Sequence, residues 1–148
     1  MCVENKIGDF YFTLSCPVEA KVLKHIRTFV VSIAEDIGFD DENIAKIELA
    51  VDEICTNVIK HAYDNKKQGK IYICIKIFDN ALKIIVSDKG KGMKIEDVHK
   101  QKDIKKYTSS NKYGGLGTYI ASNFMDKVIF HSVPDKGTTV EMVKFLGN

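Results

Sequence analysis

Hydrophobic residues over the first forty positions follow the repeat of a strand and then the repeat of a helix. Phe10, Phe12 and Leu14 recur at every second position, which predicts a strand over residues 7–15. Pro17 suits the first turn of a helix, because its missing N–H has no partner to lose there. We expect that helix to end at Gly38. Its apolar face consists of Val18, Val22, Ile26, Phe29, Val30, Ile33 and Ile37.

A second amphipathic helix follows at once. Asp40 is placed to cap its first turn, and Asp41 and Glu42 add negative charge where the helix dipole favours it. Its apolar residues recur three and four positions apart, which again is the helical repeat. They are Ile44, Ile47, Val51, Ile54 and Val58.

Beyond Gly69 the hydrophobic pattern changes to strict alternation. Isoleucines at every second position predict a strand over residues 71–77, and residues 82–86 form its partner. The intervening Asp79-Asn80 pair is typical of a hairpin turn. The partner strand ends at Asp88.

The last third of the chain contains a polar stretch, a short helix and a second hairpin. Residues 93–113 are lysine-rich, a helix is predicted from about Leu116 to Met125, and strands over 127–133 and 138–145 flank a turn. The order of elements predicts an α+β fold, in which three helices cover one face of a mixed, mostly antiparallel sheet. A chain of 148 residues has the length of one domain, so we expect residues 1–148 to form a single domain.

The composition narrows the class of protein. Apolar residues make up 45% and charged residues 28% of the chain, the balance of a soluble globular protein. No apolar run approaches the ~18 residues of a membrane span, and the N-terminus lacks a secretion signal. A net charge of +2 gives no sign of a nucleic-acid partner. The four cysteines form no CxxC pair, which predicts a reduced, cytoplasmic protein without a structural metal.

Candidate chemistry begins on the second helix, where Glu53 and Asn57 lie one turn apart at the border of the apolar stripe. The carbonyl oxygen of Asn57 suits Mg²⁺ when phosphates and waters complete the octahedron. Glu53 could act as a base toward a hydroxyl or a water. The alternative is that both are ordinary solvated helix residues.

A second candidate is the sequence Asp88-Lys89-Gly90-Lys91-Gly92 at the end of a strand. The glycines would let the backbone approach a flat ligand, and the Asp88 carboxylate could accept a hydrogen bond from an adenine amino group. Aspartate and glycine are also the commonest turn residues, so a simple turn is the alternative.

The third candidate is the glycine cluster Gly114-Gly115-Leu116-Gly117, which opens a helix. Free N–H groups and the positive end of the helix dipole could bind phosphate there. The preceding residues 98–113 are too long for a simple connection, which favours a lid or binding loop. Lys112 and its neighbouring lysines give this segment the charge to meet phosphate, although a hinge and a solvated loop would show the same pattern.

Other nucleotide-binding motifs do not occur in the chain. It has no GxxxxGK[ST] sequence, no GxGxxG after the first strand, and no HRD and DFG pair. These findings exclude the P-loop NTPases and the eukaryotic-type protein kinases, and argue against a dinucleotide-binding Rossmann site.

Together these motifs resemble those of the GHKL (histidine kinase-like) ATPase superfamily, whose fold is also called the Bergerat fold. Within it the chain is most similar to the bacterial anti-sigma factor serine-protein kinases of the RsbW and SpoIIAB type. The resemblance covers residues 7–146. The segments that carry it are Ala50–Tyr63, Val86–Met93, Gly114–Gly117, Phe124–Val128 and Gly137–Val140.

The resemblance implies a role for each matching residue. Asn57 would coordinate Mg²⁺ on the ATP phosphates, and Glu53 would be the catalytic base that activates the acceptor serine. Asp88 would bind the adenine amino group, with Gly90 and Gly92 shaping that wall of the pocket. Residues 98–113 would be the ATP lid. The remaining nucleotide-binding residues implied are Lys112, Gly115, Leu116, Gly117 and, closing the adenine pocket, Thr139.

The resemblance also implies partners. The protein would bind ATP and Mg²⁺, phosphorylate a STAS-type anti-sigma factor antagonist on serine, sequester a sigma factor, and form a homodimer. One position departs from the family, since Lys112-Tyr113 stands where an Arg often precedes the glycine cluster. Lysine keeps the charge but not the bidentate fork of arginine. The alternatives are an ATP-binding regulatory module of the same fold without kinase activity, and an interaction domain without nucleotide.

Overall fold

The computed structural model describes residues 10–64, 68–92 and 121–147. Within these ranges the strands and helices follow the predicted order. They are β1 (Phe10–Pro17), a 3₁₀ turn (Ala20–Val22), α1 (Leu23–Ile37), α2 (Asp41–Asn57), a π-helical segment (Val58–Ala62), β2 (Lys70–Phe78), β3 (Ala81–Ser87), β4 (Lys127–Val133) and β5 (Gly137–Phe145). Residues 121–124 are also helical and belong to the third predicted helix.

The five strands form one sheet in the order β1-β2-β3-β5-β4. All four pairings between these described strands are antiparallel, so the expected mixed sheet is antiparallel in the part of the chain described. Placing β5 beside β3 brings the C-terminal hairpin next to the end of β3. This neighbourhood, which no local sequence pattern reveals, positions the candidate site.

The helices cover one face of this sheet, and the core lies between the two layers. On β2 the buried face is made of Ile71, Ile73 and Ile75, each at most 2% exposed. Their alternation is the one that the sequence predicts. Burying an isoleucine side chain contributes roughly 1.5–3 kcal/mol to folding stability, so this row of isoleucines does much to stabilise the packing of the helices on the sheet. The α+β sandwich is thereby confirmed.

The helix ends follow the predicted signals, with one exception. The Asp40 side chain accepts a 2.9 Å hydrogen bond from the Asn43 N–H and caps α2. Gly38 ends α1 in the left-handed conformation, with φ of 107°. The prediction that Pro17 opens a helix is wrong, because β1 pairs with β2 as far as Pro17 and Lys70. Proline is tolerated there since β1 is an edge strand and needs no further donor.

The cysteines differ in state. Cys16 and Cys55 are free and buried, as expected of small apolar side chains. Cys74 is disulfide-bonded. The expectation that every cysteine is reduced is therefore wrong for Cys74. Among the described helices, none has both the length and the apolar character that a membrane crossing requires.

Candidate functional site

The loop that follows β3 is built around the buried carboxylate of Asp88, which is 7% exposed. The Asp88 N–H donates a 2.9 Å hydrogen bond to the Thr138 carbonyl, which continues the β3–β5 ladder by one residue. Asp88 Oδ1 accepts a 2.9 Å hydrogen bond from the Gly90 N–H. The side chain is thus fixed by the turn that its own loop forms.

Burial raises the pKa of the Asp88 carboxyl above its ordinary value. Hydrogen bonds from the Gly90 and Thr138 backbones act in the opposite direction, since they favour the ionised form. A buried carboxylate with some of its acceptor capacity used by N–H groups can still accept from a ligand amino group. This capacity is what the predicted hydrogen bond from an adenine amino group to Asp88 requires.

The two glycines of this loop are required by close backbone contacts. A Cβ atom on Gly90 would lie 2.0 Å from the carbonyl oxygen of Ala62. A Cβ atom on Gly92, whose φ is 62°, would lie 2.1 Å from the carbonyl oxygen of Val133. Gly90 therefore packs against the end of the π-helical segment, and Gly92 packs against the end of β4. These contacts bring two other segments to the loop.

Glu53 and Asn57 are both half-buried on α2, beside the fully buried Ile54 and Cys55. This is the border position that the helical repeat predicts. Asn57 is the last residue of α2, and the helix continues from Val58 to Ala62 in the wider π form. Single π turns inside helices occur frequently at functional sites, where they shift the side chains that follow. The sequence pattern gives no sign of this change.

Backbone hydrogen bonds join the end of this helix to the Asp88 loop. The Lys91 N–H donates to the Ala62 carbonyl at 2.8 Å, and the Asp135 N–H of the β4–β5 turn donates to the Lys91 carbonyl at 2.7 Å. The structure thus brings together the helix that carries Asn57, the loop that carries Asp88, and the C-terminal hairpin. Glu53 lies on the same helix, one turn before Asn57.

The lysines of the Asp88 loop contact neighbouring side chains. Lys91 Nζ lies 2.6 Å from Asp64 Oδ1, while Lys89 Nζ lies 5.2 Å from the centre of the Tyr72 ring. His61, in the π-helical segment, has its pKa lowered by burial and by the positive charges of Lys91 and Lys60.

Thr139 lies on the opposite face of the sheet from the Asp88 carboxylate. Its hydroxyl donates to Ser87 Oγ at 3.4 Å, and Ser87 directly precedes Asp88. Because side chains alternate along a strand, Thr138 and not Thr139 shares a face with Asp88. Thr138 Oγ1 lies 2.7 Å from Ser132 Oγ, a buried residue of β4. Thr138 is therefore the threonine on the Asp88 face, and the nucleotide role that the resemblance implies for Thr139 stays a prediction.

A cavity of about 450 Å³ lies on that opposite face, away from the helices. Its lining includes Thr13, Ser15, Tyr72 and Ser87 and none of the residues expected to bind nucleotide. The cavity is therefore separate from the candidate site. Lys112, Gly115, Leu116, Gly117 and the expected lid lie outside the described residues, so their predicted roles stay predictions.

The chain is similar to known proteins of one family. The family described as histidine kinase-like ATPase domain matches residues 16–144. The serine-protein kinase RsbW of Bacillus velezensis is 31% identical over 141 residues, which span 92% of this chain and 86% of the relative. RsbW of Bacillus subtilis is 32% identical over the same shares of both chains. The anti-sigma F factor of Caldanaerobacter subterraneus is 41% identical over 122 residues, 82% of this chain and 83% of the relative.

The fold is also found in a solved structure, that of the RsbU and RsbW domains of a Mycobacterium tuberculosis protein. It superposes with a TM-score of 0.64 at 18% identity over 91% of this chain, which spans 32% of that longer one. At this identity the likeness supports the fold. The family match and the identities to curated relatives go further, and the chain belongs to the histidine kinase-like ATPase family, beside the RsbW serine-protein kinases and the anti-sigma F factors.

Proposed function

We propose that this chain is an ATP-dependent serine-protein kinase that phosphorylates an anti-sigma factor antagonist and also sequesters a sigma factor. The curated relatives named serine-protein kinase RsbW and anti-sigma F factor support both halves of this function. Residues 1–148 would act as one catalytic domain. The antagonist would be a STAS-type protein, the kinase would work as a homodimer, and both partners would place it in the cytoplasm.

The observation that carries the proposal is the hydrogen bonding between the end of the α2 helix and the Asp88 loop. The 2.8 Å hydrogen bond from the Lys91 N–H to the Ala62 carbonyl holds the loop against the helix that bears Glu53 and Asn57. A nucleotide whose base met Asp88 would therefore extend its phosphates along the same side of the domain. Catalysis of phosphoryl transfer depends mainly on such positioning and on charge neutralisation.

At the base end, the residues present fit an adenine ring. The ionised Asp88 carboxylate would accept a hydrogen bond from the adenine amino group, and Thr138 would stand beside it on the same face of the sheet. The bond from the Gly90 N–H to Asp88 Oδ1 holds the carboxylate in place before the ligand arrives. A preorganised acceptor loses little entropy on binding.

At the phosphate end, the donor set fits Mg²⁺. Asn57 offers a carboxamide oxygen from its half-buried position at the end of α2, and water and phosphate oxygens would complete the coordination. Bound there, Mg²⁺ would neutralise the charge that builds up on the phosphates during transfer. Lys112, Gly115, Leu116 and Gly117 would contact the phosphates from the lid side.

Glu53 would be the catalytic base. It would accept the proton of the substrate serine hydroxyl as the serine oxygen bonds to the γ-phosphorus. The bond from that phosphorus to the bridging oxygen breaks in the same step, and ADP leaves with the electron pair. Its half-buried position, one helical turn before Asn57, supports this role.

Two measurements test the proposal. Calorimetric titration with ATP should show binding that strengthens when Mg²⁺ is added, and labelled γ-phosphate should appear on a serine of the antagonist. Glu53→Gln should retain ATP binding and lose transfer by about 10²-fold or more. Glu48→Gln, a half-buried glutamate of the same helix, is the matched control and should transfer normally.

The outcomes separate the alternatives. ATP binding without transfer in the unaltered protein would leave a regulatory module of the same fold. No ATP binding with or without Mg²⁺ would overturn the proposal entirely.

A further inference from the structure

Tyr63 is the first residue after the π-helical segment, and its hydroxyl joins three parts of the chain. The hydroxyl donates a 2.8 Å hydrogen bond to the Lys70 carbonyl at the start of β2. It accepts a 2.8 Å hydrogen bond from the Lys89 N–H, in the loop directly after Asp88. One phenol group therefore connects the end of the helix, the first residue of β2 and the candidate base-binding loop.

The Tyr63 ring is fixed as firmly as its hydroxyl. A Cβ atom on Gly69 would lie 2.4 Å from the ring, so the glycine provides the space in which the ring sits. The ring also packs against the hydrophobic core from its partly buried position. An aromatic side chain held by packing has little freedom to lose, which makes its hydroxyl a rigid reference point for the loop.

The Asp88 loop is thus held to the helix end at two successive points. The Lys91 N–H donates to the backbone of Ala62, and the Lys89 N–H donates to the side chain of Tyr63. The backbone bond would survive almost any substitution in the helix. The bond to Tyr63 depends on one hydroxyl group, and it acts on the residue next to Asp88.

We propose that Tyr63 is a positioning residue for base recognition, and that its hydroxyl, together with the Gly90 N–H, keeps the Asp88 carboxylate oriented toward the adenine amino group. This inference rests on the proposed function, since it concerns the ATP site. Tyr63 itself would not contact the nucleotide. Its contribution would appear as selectivity for bases that carry an amino group.

If Tyr63 only stabilised the fold, its substitution would affect ATP and ITP equally. The positioning role and the structural role can therefore be distinguished. Without the hydroxyl, water can replace it at the Lys89 N–H and the Lys70 carbonyl, since this region is partly exposed. The fold should therefore persist while the loop loses its orientation. Nucleotides that use Asp88 should lose affinity, and nucleotides that cannot use it should not.

The test compares ATP with ITP, which has an oxygen in place of the adenine amino group. Kd values are measured by displacement of a fluorescent ATP analogue from the full chain with Mg²⁺. In Tyr63→Phe we expect the ATP Kd to rise about tenfold, the effect of one well-placed hydrogen bond, and the ITP Kd to change less than about twofold. The control is Tyr11→Phe, which removes a hydroxyl from an exposed tyrosine on the opposite face of the sheet. It should change neither value.

Each outcome decides the question. If Tyr63→Phe lost affinity equally for ATP and ITP, or for neither, the positioning role of Tyr63 would be overturned. ATP binding by the unaltered protein would in that case still support the proposed function. If the unaltered protein bound no ATP, the proposed function itself would fall, and the role of Tyr63 with it.

A second measurement covers the case in which Tyr63→Phe does not fold. Hydrogen exchange of the Lys89 amide in the unaltered protein should be slow and should slow further with ATP. Exchange at the rate of an unprotected amide would overturn the inference.

Discussion

Arg27 Nη1 lies 2.6 Å from Asp52 Oδ1, so an ion pair joins α1 to α2 at the residue before Glu53. The Arg27 and Asp52 side chains are 36% and 25% exposed, so both are partly buried. Solvent screening still limits such a pair, and we expect a coupling energy of about 1 kcal/mol. Because the pair spans two helices, it contributes to their alignment as well as to stability.

We therefore predict that Arg27→Ala and Asp52→Ala each lower the free energy of unfolding by about 1 kcal/mol, and that their double mutant shows the loss only once. Urea unfolding of the four proteins measures this coupling, which should shrink in high salt. The exposed pair of Lys46 and Glu42, one turn apart on α2, is the control and should couple more weakly. Fully additive losses for Arg27 and Asp52 would contradict the prediction.

Two glycine substitutions should differ in cost for a reason visible in their surroundings. A Cβ atom on Gly90 would strike the Ala62 carbonyl, whereas a Cβ atom on Gly38 would meet nothing within 4 Å. Gly38→Ala should cost about 1 kcal/mol, for its left-handed φ alone. Gly90→Ala should cost about 3 kcal/mol, since backbone must move. Chemical denaturation of both variants measures the difference.

Nucleotide binding supplies a second measurement on the same pair of glycine variants. Gly90→Ala should weaken ATP binding, because it pushes the Asp88 loop away from the helix. Gly38→Ala should bind ATP normally, since the N–H of Gly38 bonds to carbonyls of α1 and not to the Asp88 loop. A Gly90→Ala variant as stable as Gly38→Ala would show that the loop adapts freely, and would weaken the case for a preorganised site.

The features that sequence reasoning predicts well are those that depend on neighbours along the chain. Residue type predicts the cap at Asp40 and the helix end at Gly38, and the helical repeat predicts the buried stripe of α2. All three predictions are confirmed. The extension of β1 through Pro17 was missed because it depends on pairing with Lys70, more than fifty residues away. Local propensity carries no information on such a pairing.

The candidate site shows the same division. The chemistry of Glu53, Asn57 and Asp88 could be proposed from residue types and spacing. The π-helical segment, the contact of Gly90 with Ala62, and the tyrosine that holds Lys89 depend on how distant segments meet. The face on which Thr139 lies depends on its register with Ser87, and a shift of one residue reverses every side chain.

The two neighbouring threonines of β5 allow a matched test of that register. Thr138→Val should weaken ATP binding about tenfold, because the lost hydroxyl lies on the Asp88 face and bonds Ser132 at 2.7 Å. Thr139→Val removes the same atoms from the opposite face and should change ATP affinity less than about twofold. Both substitutions keep a β-branched residue in the strand. The reverse ranking of the two Kd values would support the nucleotide role that the resemblance implies for Thr139.

The raised pKa of Asp88 makes a prediction about pH that has opposite signs for binding and for stability. Binding of the adenine amino group needs the ionised carboxylate, so ATP affinity should fall as pH falls through the raised pKa. The fall should begin at a less acidic pH than an ordinary aspartate would give. Asp88→Asn should bind ATP more weakly at neutral pH and lose this dependence.

The stability of the nucleotide-free protein should change in the other direction. The folded pKa of Asp88 lies above its unfolded value, so the folded state holds the proton more tightly and is penalised when the carboxylate ionises. As pH falls through the folded pKa, unfolding free energy should therefore rise in the unaltered protein relative to Asp88→Asn. Urea unfolding of both proteins across that range isolates the contribution of this one group from the other carboxylates. A difference that stays constant with pH would mean that the Asp88 loop admits water freely, and burial would then no longer explain how the carboxylate selects its ligand.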